Sequence, residues 1–207
     1  GSLFVRGTPS RTASFATVAE RFLPGGPYAR IYGAGLEAQS YWEPPTVTFA
    51  GGVHVARVAV DTETGQTEIL DYVVVHDCGP LVNPLIVDGQ IAGGVAQGIG
   101  TALYEELHYD EIGQPLNPNL IDYLLPSADT VPELVVAHLE TPSPLNPLGI
   151  KGVGEAGAIS PPAAIANAIE DALRDFDVHI DQVPVSPSYV LGRLHESDAY
   201  MRSRNEI

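Results

Sequence analysis

The residues with the clearest potential for chemistry lie in one stretch, Gly149-Ile-Lys-Gly-Val-Gly-Glu-Ala-Gly-Ala-Ile-Ser-Pro-Pro162. Four glycines (149, 152, 154 and 157) surround a single carboxylate, Glu155. Glycine lacks a Cβ, so this backbone can take positive φ and come close to another molecule. The pattern is that of a loop that holds a ligand with one acid at its centre. The competing reading is that Glu155 is one of 26 acids in an acidic chain and that the glycines only turn a loop. Gly152-Val-Gly-Glu-Ala-Gly157 also matches the dinucleotide fingerprint G-x-G-x-x-G, which requires a hydrophobic strand running into its first glycine. Pro142, Pro144 and Pro147 stand where that strand would be, and proline cannot donate to a sheet ladder.

The loop needs elements to hold it. Ser160, followed by Pro161 and Pro162, reads as the N-cap of a helix extending to Asp175. The acid would then lie just ahead of a helix N-terminus, where free N–H groups and the macrodipole favour anions. A second helix, capped by Asn83 with Pro84 in its first turn, runs from about Leu85 to Glu106 and contains Gly89, Gly93, Gly94, Gly98 and Gly100. Each interior glycine costs about 1 kcal/mol relative to alanine. Five of them imply close approach by a packed backbone or by a ligand. Gln97 is the long polar side chain in this run, either a residue of a polar helix face or an amide that donates to and accepts from a ring on the glycine face.

Before these helices, Val53–Val60 and Thr67–Val75 are β-branched runs joined by Asp61-Thr-Glu-Thr-Gly-Gln66, which predicts a β-hairpin. A short helix from Thr12 to Leu23, capped by Thr12 or Ser14, stops at Pro24-Gly-Gly-Pro27. Residues 36–42, Leu134–Leu139 and Val178–Ile180 read as strands, and Asp110–Pro115 suggests another hairpin turn. His138 is expected to face solvent or a backbone partner. Ser186-Pro187 caps a last helix to about Leu194, and a charged tail follows. The expectation is an α+β fold with mixed sheets, hairpins and a long glycine-rich helix. It divides into an N-terminal helix-and-turn segment over 1–35, a main body over 36–194 and a flexible tail over 195–207.

Composition narrows the function classes. A net charge of −16 argues against nucleic acid or anionic membrane as partner. The single cysteine, Cys78, rules out an internal disulfide framework and a thiolate metal cluster, and reads as a half-buried structural residue rather than a nucleophile beside His76. The six histidines lack metal-ligand spacing. No apolar run approaches the roughly 20 residues of a membrane span, which predicts a cytoplasmic protein.

Three stretches together carry a resemblance: Asp77-Cys-Gly-Pro-Leu-Val-Asn-Pro-Leu-Ile-Val-Asp-Gly-Gln90, Gly93-Gly-Val-Ala-Gln-Gly-Ile-Gly-Thr-Ala-Leu-Tyr-Glu-Glu106, and Pro142 to Gly157. They resemble the C-terminal part of the molybdopterin-binding large subunit of the molybdenum hydroxylases, the xanthine oxidase family, particularly its carbon monoxide dehydrogenase-like and aldehyde dehydrogenase-like branch. The likeness runs from about Leu36 to Leu194. It implies that the chain is part of a larger molybdenum-cofactor-binding domain, with Glu155 in the place of the family's catalytic base. A carboxylate on such a loop in a dry pocket would favour its protonated form, which suits a base. By the same resemblance Gln97 contacts the pterin, and Lys151, Gly152, Val153 and Gly154 lie beside it.

The implied cofactor is molybdenum–molybdopterin, as the cytosine dinucleotide, shared with segments outside this chain. The implied partners are the remainder of the molybdenum subunit, an iron–sulfur subunit, an FAD subunit and a small-molecule substrate. Family large subunits are several times longer, so the chain alone is expected to be inactive. Cys78, in Asp-Cys-Gly, does not correspond to the active-site cysteine of carbon monoxide dehydrogenases. The rival reading is a non-catalytic scaffold or assembly module of such a complex.

Overall fold

β-branched residues on either side of Asp61–Gln66 pair as the sequence predicts. In the computed structural model, which describes residues 1–205, they form an antiparallel hairpin, Gly51–Val60 against Thr67–Asp77, in the second of two units, Gly1–Glu43 and Pro44–Ile207.

The first unit opens with an antiparallel pair, β1 (Ser2–Val5) and β2 (Thr8–Ser14), followed by α1 (Phe15–Arg21) and the single turn α2 (Ala29–Tyr32). Ser14 ends the strand and caps α1, its Oγ accepting from Thr17 N at 3.0 Å. The helix expected from Thr12 therefore begins three residues later. The strand expected over 36–42 does not form: these residues are irregular and pair with no strand. Alternation makes a strand only where a neighbour takes up its hydrogen bonds.

The second unit is built on a three-stranded sheet in the order β3 (Gly51–Val60), β4 (Thr67–Asp77), β5 (Leu134–Leu139). β5 runs parallel to β4, and the crossover carries α3 (Pro84–Leu103). Tyr72, Val74 and His76 of β4 point into the core, as the period of two requires. Against that face pack α3, through Ile91, Val95 and Ile99, and α4 (Pro161–Ala172), through Ile165 and Ile169, all fully buried. α5 (Pro187–Glu196), capped by Ser186, adds Val190 and Leu194. The stretch expected as a charged tail forms α6 (Asp198–Asn205), whose Tyr200 is buried and donates its hydroxyl to Thr62 O at 2.8 Å. Residues 206 and 207 of that tail lie outside the described residues.

Several local expectations are corrected. Asn83 does cap α3, but the helix stops at Leu103 because the Tyr104 and Glu105 N–H groups both turn back to Gly100 O. Ser160 does not cap α4: it has helical dihedrals, and its side chain accepts no capping bond. The residues that do cap, Ser14, Asn83 and Ser186, are extended and accept from the third helical N–H. Residues 178–180 are not a strand, since Ile180 N donates to Glu170 Oε2 and His179 O accepts from Arg193 Nε. At 110–115 the chain makes a turn closed by a single Tyr109–Pro115 bridge rather than a hairpin.

Candidate functional site

Glu155, Gly152, Val153 and Gly154 line one pocket of ≈ 480 Å³. Its opposite wall is the start of β3, Gly51 and Gly52, together with His54 and His76. Phe49 and Ile159 make the wall partly apolar. Glu155 itself is exposed. The dry cover expected for this acid is not built by residues 44–205.

The glycines around the acid divide by role. Gly149 alone of the four has positive φ, at 69°, and stacks beside Pro142 and Pro80. Gly157 is buried against α3, where an added Cβ would lie 2.2 Å from Ile91 O, and a Cβ added at Gly94 would lie 2.7 Å from the Gly157 Cα. Gly98 in turn makes room for the Pro161 ring. Glycines on α3 thus seat the acid loop and the first turn of α4. A Cβ at Gly152 or Gly154 would meet nothing within 4 Å, so these two leave an open face beside Glu155.

The loop's entry is fixed by Asp77. Its Oδ1 accepts from Gly79 N at 2.9 Å, Thr141 N at 3.1 Å and Lys151 Nζ at 3.2 Å. Bonds from Thr141 first, then Gly79 and Lys151, hold this carboxyl well below the usual range. Lys151 is therefore occupied by Asp77, and its backbone N donates to Cys78 O. It lies outside the residues that line the Glu155 pocket, its largely buried ammonium held by the Asp77 carboxylate. Cys78 is buried, and burial pushes its thiol up, which suits the structural reading.

The sequence did not point to His54, His76 or Asp77. Asp77 had a signal, the Asx turn in Asp77-Cys-Gly79. The histidines had none, since only the register of β3, β4 and β5 gathers them. His54 Nδ1 lies 2.9 Å from the Tyr72 hydroxyl. Burial lowers its basicity, and an interaction with the Ala156 backbone offsets part of that. His76 is also lowered, first by burial and then by His138. His138 does not face solvent or backbone: its Nε2 is 2.7 Å from Asp88 Oδ1 on α3.

Gln97 lies outside the Glu155 pocket, exposed on α3. At spacings of four it continues a stripe with Gly89 and Gly93, where an added Cβ meets nothing. α3 thus has one glycine face packed on the acid loop and an adjacent one left open with an amide at its end.

The family model described as the molybdopterin cofactor-binding domain matches residues 1–132. The chain belongs to that family, within the molybdenum hydroxylases. The chain is 41% identical over 157 residues to the nicotine 6-hydroxylase large subunit of Paenarthrobacter nicotinovorans, covering 76% of the chain and 19% of that protein. It is 40% identical over 194 residues to subunit gamma of the 6-hydroxypseudooxynicotine dehydrogenase complex of the same organism, covering 93% and 24%. The crystal structure of quinoline 2-oxidoreductase from Pseudomonas putida 86 superposes with a TM-score of 0.85 at 42% identity, covering 95% of this chain and 25% of that one. The chain spans about a fifth to a quarter of the length of these relatives. The α+β architecture is that of a domain of their large subunits. An open glycine stripe ending in Gln97, and a second open glycine face at 152–154, suit a large flat polar group such as a pterin.

Proposed function

We propose that the chain supplies the general base and part of the pterin site to a molybdenum hydroxylase that oxidises a carbon centre with water as oxygen donor. The observation that carries this reading is the placement of Glu155 beside Gly152 and Gly154, on the wall of a pocket, with nothing crowding either glycine. Molybdenum–molybdopterin, when bound, supplies the two-electron chemistry.

The chain's own residues do the rest. The Glu155 carboxylate takes up a proton. Gly152, Val153 and Gly154 offer backbone at close range, and Gln97 offers an amide that donates and accepts at once. Lys151 acts at one remove, tying the loop to Asp77. The desolvation that would suit Glu155 to its task comes from segments of the complete subunit. The cofactor is the cytosine dinucleotide, electrons leave through iron–sulfur and FAD subunits, and the assembly works in the cytoplasm. The names of the relatives support a heteroaromatic ring carbon as the substrate. Among the described residues no helix is long and apolar enough to cross a membrane.

Glu155→Gln in the complete subunit tests the assignment. It is expected to lower kcat by roughly a hundredfold or more while molybdenum stays bound. Near-normal turnover would leave the chain as a scaffold.

A further inference from the structure

The Glu155 pocket presents two histidines, and they differ in one respect. His54 is engaged by the Tyr72 hydroxyl. His76 is 4% exposed, and neither of its ring nitrogens has a hydrogen-bond partner among the described residues. Buried polar atoms are almost always paired with protein or with ordered water. The His76 ring lies at the pocket wall because β3 has glycine beside it: an added Cβ on Gly52 would come within 2.9 Å of Nδ1.

The next strand continues the line. His138 is the register partner of His76 on the parallel β4–β5 pair, about 4.8 Å away along the hydrogen-bonding direction, and on the same face. Its Nε2 meets Asp88. A carboxylate accepts, so in the neutral ring the proton belongs on Nε2 and Nδ1 is the acceptor. That Nδ1 is buried and unpartnered too. Asp88 is 53% exposed. Pocket, His76, His138, Asp88 and solvent therefore follow one another, with three buried ring nitrogens that no group among the described residues satisfies.

We propose that ordered water joins His76 to His138 and that this line carries the proton taken up by Glu155 out of the pocket to Asp88 at the surface. The inference rests on Glu155 being the base. The transfer moves protons only. The Glu155 carboxyl releases its proton to water. His76 takes a proton at one nitrogen and gives one up from the other, and His138 takes one at Nδ1 and passes its Nε2 proton to the Asp88 carboxylate, which yields it to bulk water. Both rings then return to their first tautomers by exchange with the same water. Burial disfavours a lasting charge on His76, which suits a relay, and the nearby charges Asp77 and Lys151 pair with each other.

The test uses the complete molybdenum subunit in its assembled enzyme. Asp88→Asn, at an exposed position that folding tolerates, and His138→Gln are expected to lower kcat by roughly tenfold or more at unchanged KM. Both should raise the solvent deuterium isotope effect on kcat and regain rate in added imidazole. A crystal structure of the unsubstituted enzyme should show ordered water within hydrogen-bond distance of both rings. Unchanged kcat and isotope effect in both variants, beside an inactive Glu155→Gln enzyme, overturn the relay and keep the base. A protein side chain filling the His76 ring nitrogens in the complete subunit also overturns it. A slowed Asp88→Asn enzyme beside an active Glu155→Gln one overturns the base instead.

Discussion

Asp77 accepts three hydrogen bonds from three segments: its own turn, the end of β5 and the acid loop. Its lowered carboxyl makes a prediction about pH, and so do the lowered imidazoles of His54 and His76. For all three the unfolded chain takes up a proton first as pH falls. Stability is complete above the ordinary histidine value near 6.5. It falls below that as the unfolded histidines charge, and again below about 3.8 as unfolded Asp77 protonates. Thermal melts across pH 7 to 3 should show both declines, and Asp77→Asn should lower the melting temperature at neutral pH and flatten the lower one. A melting temperature independent of pH down to 4 would contradict the histidine assignments. The loop that brings Glu155 to the pocket wall was legible from its glycines, whereas the placement of Asp77 and the histidines was not. Their partners lie 74 positions away for Asp77 and Lys151 and 50 for His138 and Asp88, and no local pattern encodes such pairs.

α3 shows how one element serves two surfaces. Its glycines were expected to permit close approach by backbone or by ligand, and they divide between the two. Gly94 and Gly98 meet Gly157 and Pro161, while Gly89 and Gly93 meet nothing. Gly94→Ala and Gly157→Ala should therefore lower the unfolding free energy by about 1–3 kcal/mol, the usual effect of overpacking, read by denaturant titration. Gly93→Ala should raise it by up to about 1 kcal/mol through helix propensity and yet weaken molybdenum retention in the complete subunit. Equal effects at positions 93 and 94 would contradict the division. The hairpin, the Asn83 cap and the glycine helix were legible because each has a local physical signature. The parallel pairing of β5 was not, although a strand, a 20-residue helix and a strand in sequence describe a crossover. The Ser160 cap was misread because Ser160 itself takes helical dihedrals, where a capping residue is extended.

Over the whole second unit, large apolar side chains stand in solvent around a well-packed core. Phe49, Leu85, Ile112 and Ile121 are each more than 80% exposed. Such surface marks faces that bind something, in keeping with a chain that spans a fifth to a quarter of its relatives. The isolated chain should bind a hydrophobic dye that the complete subunit does not, and equal binding would argue against covered faces. The measurement that bears most directly on the account is turnover of the complete enzyme with Glu155→Gln, taken together with its molybdenum content. Full molybdenum with kcat lowered by roughly a hundredfold or more is expected of Glu155 as the base. Full molybdenum with near-normal kcat would contradict it.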